Sequence, residues 1–367
     1  MNELFESTEI NGMALANRFV RSATWEGMAT EEGECTPELC DLMARLAKGG
    51  VGLIITGHAY VRRDGPAAPW QLGVYDDRLI EGLRDMTRAV HDQGGRIVLQ
   101  MTHAGLFANP KLSGETPVAV SQVDGFVRSP RKEMDAKDVK KIVEGFGHGA
   151  RRAREAGFDG VQIHAAHGYL LSQFLSPVFN KRSDGYGGSV ENRARALVEV
   201  LGRIKVESGH DFPALVKMNC EDFLDGGLSL NDSLKVGAML QAEGIDAIEL
   251  SGGTFFSGKL APSRVGIKSE DKEAYFREAA EAFKKVLEVP LILVGGVRSF
   301  HVAEQLVKEG VTDYISMSRP LIREPGLVKR WASGDLRKAA CLSDNQCFEP
   351  ATAGEGIYCV VEKKEKR

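Results

Sequence analysis

Several things are missing from this sequence, and each absence closes off a class of function. No apolar run approaches the roughly 20 residues that a membrane-spanning helix needs; the longest, such as Val51–Ile55, are strand-sized. The first residues, Met1-Asn2-Glu3-Leu4-Phe5-Glu6, are acidic and lack the basic-then-apolar order of an export signal. Six cysteines in 367 residues are too few for a disulfide scaffold. These absences point to a cytoplasmic chain with no membrane contact. An excess of one charge is missing too. A formal net charge of −4 offers no positive field to a polyphosphate backbone, so no nucleic-acid partner is expected. There is no GxGxxG and no GxxxxGK[ST], which removes support for a Rossmann dinucleotide site or a P-loop. No repeat with an obvious period and no Pro-, Gly- or Ser-rich linker divides the chain.

What is present is an ordinary globular composition, 43% hydrophobic and 27% charged, with a recurring order. Strand-sized apolar runs alternate with helix-sized amphipathic stretches, the pattern of parallel βαβ units. Strands are expected at Arg18–Ala23, Val51–Thr56, Arg96–Gln100, Gly160–His164, Ala214–Met218, Ala247–Leu250, Pro290–Val294 and Asp313–Met317. Helices are expected near Pro37–Ala47, Asp77–Gln93, Asp138–Ala156, Val190–Ser208, Leu230–Glu243 and Phe300–Glu309. Eight such units favour a closed α/β fold, a (β/α)₈ TIM barrel, over an open doubly wound sheet. Leu4–Ala16, with Asn11-Gly12 at its turn, reads as an N-terminal β-hairpin closing the barrel bottom. The barrel is assigned to residues 1–333, and residues 334–367 form a short tail carrying its own cysteines.

Functional side chains in such barrels gather at the C-terminal strand ends. There the sequence places Gln100-Met-Thr-His103, His164-Ala-Ala-His167-Gly-Tyr169, Lys217, Gly295-Gly296 and Ser318-Arg319. Glycine backbone lets a phosphate approach closely, and arginine binds one through paired hydrogen bonds. The ends of strands seven and eight are the usual phosphate position. A phosphate site without a Rossmann fingerprint indicates a mononucleotide cofactor or a phosphorylated substrate. His164 and His167 are suited either to a metal or to donating two N–H groups to a developing oxyanion. The metal reading has no third ligand at a recognisable spacing, so no metal is assigned.

Gly160-Val-Gln-Ile-His-Ala-Ala-His-Gly-Tyr-Leu-Leu-Ser-Gln-Phe-Leu-Ser-Pro177 and Asn180-Lys-Arg-Ser-Asp-Gly-Tyr-Gly-Gly-Ser-Val-Glu-Asn-Arg193 resemble the old yellow enzymes, the FMN-dependent ene-reductases. Asn17–Val20, Gln100 with His103-Ala104-Gly105, and Ser318-Arg319-Pro320 match in the same order, over roughly residues 1–330. The resemblance implies FMN as cofactor and NAD(P)H as reductant. It implies that Ser22, Ala23 and Thr24, the backbone of Gly57 and His58, Gln100, Lys217, Gly295, Gly296, Ser318 and Arg319 hold the flavin, Gln100 by its pyrimidine edge. Lys217 stands where most members carry arginine; it keeps the cation but loses the bidentate fork.

His164 and His167 match the pair that holds the substrate's oxygen, and Tyr169 matches the proton donor. The implied chemistry is ping-pong: NAD(P)H reduces flavin N5, then N5 delivers hydride to Cβ of an α,β-unsaturated carbonyl or nitro compound while Tyr169 protonates Cα. Members commonly associate, so a homo-oligomer is among the implied partners.

Two departures stand out. Trp25 occupies the position that tunes flavin potential in relatives, as a substrate-contacting residue or as loop packing. The tail segment Cys341-Leu-Ser-Asp344-Asn-Gln-Cys347, with Cys359 twelve positions on, resembles the iron–sulfur segment of the dienoyl-CoA reductase branch. Asp344 replaces its second cysteine, one spacing is shorter, and that branch's FAD- and NADPH-binding domains are not in the sequence. A complete four-iron cluster is not expected from three thiolates. Rival readings are a dehydrogenase running in reverse, a partner-dependent reductase, a flavin-free lyase or isomerase barrel, and a non-catalytic FMN carrier.

Overall fold

The computed structural model describes residues 2–366, so the two terminal residues of the assigned barrel and tail lie outside it. Eight parallel strands form the barrel: β1 (Phe19–Arg21), β2 (Leu53–Ile55), β3 (Ile97–Thr102), β4 (Gly160–Ala165), β5 (Ala214–Asn219), β6 (Ala247–Ser251), β7 (Leu291–Val294) and β8 (Tyr314–Met317), with the two-residue strand Ala59–Tyr60 added to the same sheet beside β3. Each pairs with its sequence neighbour; β8 pairs with β1 and β2 with β3, which closes the barrel. All eight lie within the ranges read from the sequence, except that β3 to β6 run one or two residues further. β1 and β2 are only three residues each. The ladder goes on past β1 in one bond, from Ser22 N–H to the Met317 carbonyl at 2.9 Å.

The outer ring contains α1 (Pro37–Lys48), α2 (Ile80–His91), α3 (Ala136–Glu155), α4 (Val190–Ser208), α5 (Leu230–Ala242), α6 (Arg277–Lys284), α7 (Phe300–Lys308) and α8 (Leu327–Ala332). Polar side chains cap the starts of four of these helices. Thr36 Oγ1 accepts from Leu39 N–H, Ser189 from Asn192 and Ser229 from Asp232, while Asp135 and Asp138 form a reciprocal capping box. Each cap is worth about 1 kcal/mol. Helix α6 has no counterpart in the sequence reading. It is eight residues long and buries only Ala279, Ala280 and Phe283, too short a stripe to stand out beside the aperiodic stretch before it.

Strand alternation divides the barrel interior into layers. Val20, Val98, Leu215, Ala247 and Tyr314 belong to an apolar lower layer, sealed from below by Ile10, Met13 and Leu15. Those three come from the N-terminal hairpin, Thr8–Ile10 paired with Met13–Leu15. Its turn residues Asn11 and Gly12 both have positive φ, at 44° and 79°, as a two-residue hairpin turn requires. Two residues further along the same strands stand Ser22, Gln100, Lys217, Glu249 and Ser316, a polar upper layer that floors the barrel mouth.

No helix among the described residues is long and apolar enough to cross a membrane. The tail folds back over the barrel. Ala339 N–H donates to the Arg298 carbonyl at 2.9 Å, the Arg298 guanidinium donates to the Cys341 carbonyl, and Ala351 packs where Gly27 leaves room for it.

Candidate active site

One cleft opens at the C-terminal mouth, and its empty space amounts to about 990 Å³ counted out to the solvent. Ser22, Ala23, Thr24, Trp25, His58, Gln100, His164, His167, Tyr169, Lys217, Gly296, Ser318 and Arg319 all line it. Of the residues singled out from sequence, Gly57 and Gly295 lie behind the surface. The Gly57 N–H is taken by Glu26 Oε1 at 2.9 Å, and a Cβ there would meet Glu26 Oε2 at 2.0 Å. Gly57 therefore serves close packing. The Gly295 carbonyl accepts from Tyr275 N–H at 3.0 Å.

The floor is a continuous hydrogen-bonded network. Lys217 Nζ donates to Ser22 Oγ at 2.7 Å and approaches Glu249 Oε1 at 3.3 Å. Ser22 and Ser316 hydroxyls donate to that same oxygen at 2.7 and 2.8 Å, and Gln162 Nε2 donates to Oε2 at 2.9 Å. Gln100 Nε2 in turn donates to Gln162 Oε1 at 2.7 Å. Burial alone would raise the Glu249 carboxyl; Lys217 and the three side-chain donors outweigh it and hold the pKa below the ordinary value. Glu249 is wholly inaccessible to water, so a carboxylate there stands only because it is paired.

The sequence reading missed Glu249 and Gln162. The signal was there: each sits alternately with apolar neighbours in a buried strand, Ala-Ile-Glu249-Leu-Ser and Gly-Val-Gln162-Ile-His.

One wall is built from imidazoles. His164 projects from the end of β4, paired in register with Lys217. His167 adopts φ 64° in the turn that follows, held by its N–H to Asn219 Oδ1 at 3.1 Å, and its Nε2 lies 2.8 Å from Ser251 Oγ. The two rings meet edge-on with centroids 5.2 Å apart. Tyr169 packs on His164 at 4.8 Å, and its hydroxyl lies 3.0 Å from His58 Nε2. Burial drives His164 and His167 well below the usual histidine pKa, helped by neighbouring positive charge, so both rings are neutral. Burial raises the Tyr169 phenol. The Nδ1 atoms of His58 and His164 and Nε1 of Trp25 are buried without a hydrogen-bond partner. Phe255, 58% exposed, closes the mouth against Tyr169 with centroids 5.7 Å apart.

The opposite end is glycine and arginine. Gly296 lines the cleft with φ 82°, and a Cβ on it would come within 2.8 Å of the Tyr275 ring, so the position requires glycine. Arg319 is buried; one Nη donates at 2.8 Å both to the Arg264 carbonyl and to Asn345 Oδ1. Asn345 belongs to the tail, as does Phe348, which also lines the cleft. Neither was singled out from sequence, since an asparagine and a phenylalanine far along the chain carry no motif. Trp25 lines the cleft and packs on the core.

Beside Arg319, Cys341 and Cys347 are buried and Cys359 is half-buried, with the Arg323 guanidinium 3.5 Å from the Cys359 sulfur. Burial raises both buried thiols, Cys347 to about 12. No group of three or more His, Cys, Asp or Glu side chains among the described residues is arranged to hold a metal ion.

The residues fit a flavin mononucleotide. A cation and an amide floor one side, a glycine and an arginine open the other, and imidazole nitrogens without partners line the space between. Comparison with known proteins agrees. The model of the NADH:flavin oxidoreductase / NADH oxidase family matches residues 3–337. The NADH oxidase of Thermoanaerobacter brockii is 34% identical over 98% of the chain, which spans 58% of that protein's length. The 4,4'-dithiodibutanoate disulfide reductase of Rhodococcus erythropolis is 33% identical over 98% of the chain and 94% of its own length. The solved old yellow enzyme homologue of Zymomonas mobilis superposes with a TM-score of 0.77 at 28% identity, covering 92% of this chain and 94% of its own. The chain therefore belongs to the NADH:flavin oxidoreductase / NADH oxidase family, of old yellow enzyme type, with FMN as the cofactor its residues fit.

Proposed function

We propose that the protein reduces the activated C=C bond of α,β-unsaturated carbonyl or nitro compounds. The observation that carries this reading is the single wall of neutral His164, neutral His167 and protonated Tyr169 facing a cleft floored by Lys217. When bound, FMN would supply the hydride exchange between NAD(P)H and the β-carbon of the acceptor.

The chain supplies the rest. Ser22, Ala23, Thr24, Gln100 and Lys217 would hold the ring system, and Gly296, Ser318 and Arg319 the phosphate. Lys217 offsets negative charge over the pyrimidine edge. His164 and His167, fixed as neutral donors, polarise the acceptor's oxygen; their charge does not change, so the stabilisation is fully in place when the enolate forms. Tyr169 gives its proton to Cα. With its pKa raised by burial, it stays protonated until charge develops on the substrate. Phe255 offers an apolar face to the body of the acceptor at the mouth.

Stopped-flow separation of the half-reactions tests this. In Tyr169→Phe, reduction by NAD(P)H should remain close to normal while reoxidation by cyclohexenone slows ~10²-fold or more. A nitroalkene should be less affected, because its nitronate can leave and be protonated in water. Equal rates for the variant and the parent on both substrates would remove Tyr169 as donor.

A further inference from the structure

His58 enters the sequence argument only as a stretch of backbone beside the flavin, yet its side chain is the one turned into the cleft. The ring packs beside both His164, with centroids 6.1 Å apart, and Tyr169, at 5.3 Å and 82°. Its own carbonyl accepts from Gln71 Nε2 at 3.0 Å. Gln71 Oε1 accepts from the Ala67 and Ala68 N–H groups at 2.8 and 3.3 Å, so the surrounding loop holds the backbone that carries the ring. His58 Nε2 lies 3.0 Å from the Tyr169 hydroxyl. Among the described residues it is the one side chain within hydrogen-bonding distance of that oxygen.

We propose that His58 is the positioning residue of Tyr169: its Nε2–H holds the phenol oxygen, turns the phenol hydrogen toward the substrate, and stabilises the phenolate left when the proton departs. The inference rests on the reading of Tyr169 as the acid. In the step concerned, the Tyr169 O–H bond breaks and a Cα–H bond forms. The electron pair stays on the phenol oxygen, and water returns the proton as product leaves. The hydride is the one already supplied from NAD(P)H.

The surroundings make such a donor necessary. Burial raises the Tyr169 pKa because a phenolate there has little solvation, and an N–H on the oxygen offsets part of that penalty. Burial likewise pushes His58 down to about 4, with Lys217 adding to the effect, so at neutral pH the ring is uncharged. Two tautomers remain. If the phenol donated to Nε2, the proton on Nδ1 would be a buried N–H with no acceptor. With the proton on Nε2, Nδ1 is a bare lone pair, the less costly orphan. The other titratable groups around this corner are His164, His167 and Lys217, and none of them bonds to the phenol oxygen.

The test uses the FMN-loaded enzyme and the variants His58→Leu, His58→Gln and Tyr169→Phe. Leucine removes the donor; glutamine restores an N–H at comparable reach. His58→Leu should keep its flavin and slow reoxidation by cyclohexenone roughly 10- to 100-fold, the worth of a hydrogen bond to a charged group. Reduction by NAD(P)H and reoxidation by a nitroalkene should change far less, and His58→Gln should recover most of the loss.

A parent-like rate in His58→Leu, no recovery in His58→Gln, or equal slowing of both half-reactions would overturn the proposal. If Tyr169→Phe reoxidises normally, the acid assignment fails and this proposal with it. If Tyr169→Phe is slow while His58→Leu is not, His58 alone is excluded.

Discussion

The floor and the wall of the cleft are both buried and polar, yet they are satisfied in opposite ways. On the floor, both Glu249 oxygens are paired, Lys217 finds two partners, and the amides of Gln100 and Gln162 are joined. On the wall, two imidazole nitrogens have no partner, and the His167 and Tyr169 side chains make one hydrogen bond each. A fully bonded network in a low-dielectric interior is rigid and resists change. Polar atoms left over beside a cavity are available to whatever enters it. The contrast separates a foundation from a working surface within one layer of strand ends, and three experiments would break or sharpen it.

The largest effect should come from the floor. Glu249→Ala leaves Lys217 buried without its carboxylate, so unfolding in urea should show a loss of about 3–5 kcal/mol. The pair Lys217→Met with Glu249→Gln should regain a good part of it, since the uncompensated charge is gone. If Glu249→Ala were neutral, the network would not be the foundation described.

Next comes the link between tail and barrel. Asn345 Oδ1 accepts from Arg319, and its Nδ2 donates to the Ser263 carbonyl at 2.8 Å, so it braces the arginine from the far side. Asn345→Ala should raise the FMN dissociation constant about 10-fold or more, the worth of one hydrogen bond to a charged group, with little change in enone preference. Fluorescence titration of the apoprotein with FMN measures this; an unchanged constant would make the tail a bystander to the cradle.

The most gradual effect should come from acid, and it should act on the wall. His58 has its folded pKa depressed to about 4 from the ordinary 6.5, so the unfolded chain binds the extra proton first. The stability contributed by keeping the ring neutral is present above pH 6.5. It is lost as pH falls toward about 4, at up to about 1.4 kcal/mol per unit for one histidine. His164 and His167 shift in the same direction. Thermal unfolding across that window should steepen with acid, and His58→Leu should flatten the slope. A flat profile in the parent would mean that water reaches these rings.

Much of this protein is written in its sequence, and the reason lies in strand geometry. The period-2 alternation of β5 and β6 and the helix starts at Thr36, Ser189 and Ser229 are local properties, legible wherever side chains within a few residues decide the backbone. The His164–His167–Tyr169 turn is local too, so its three members could be grouped before any fold was known. What the sequence could not decide is which distant groups complete them. Ser22 and Glu249 lie 227 residues apart, His58 and Tyr169 111 apart. No local rule says that an imidazole after β2 will meet a phenol after β4, or that Asn345 will reach Arg319. Those meetings follow from barrel closure, which brings eight strand ends to one mouth, and from the tail packing back beside it. The residue types available for the chemistry were set by the sequence; which of them would be left without a partner, and so free to act, was decided by the closed barrel.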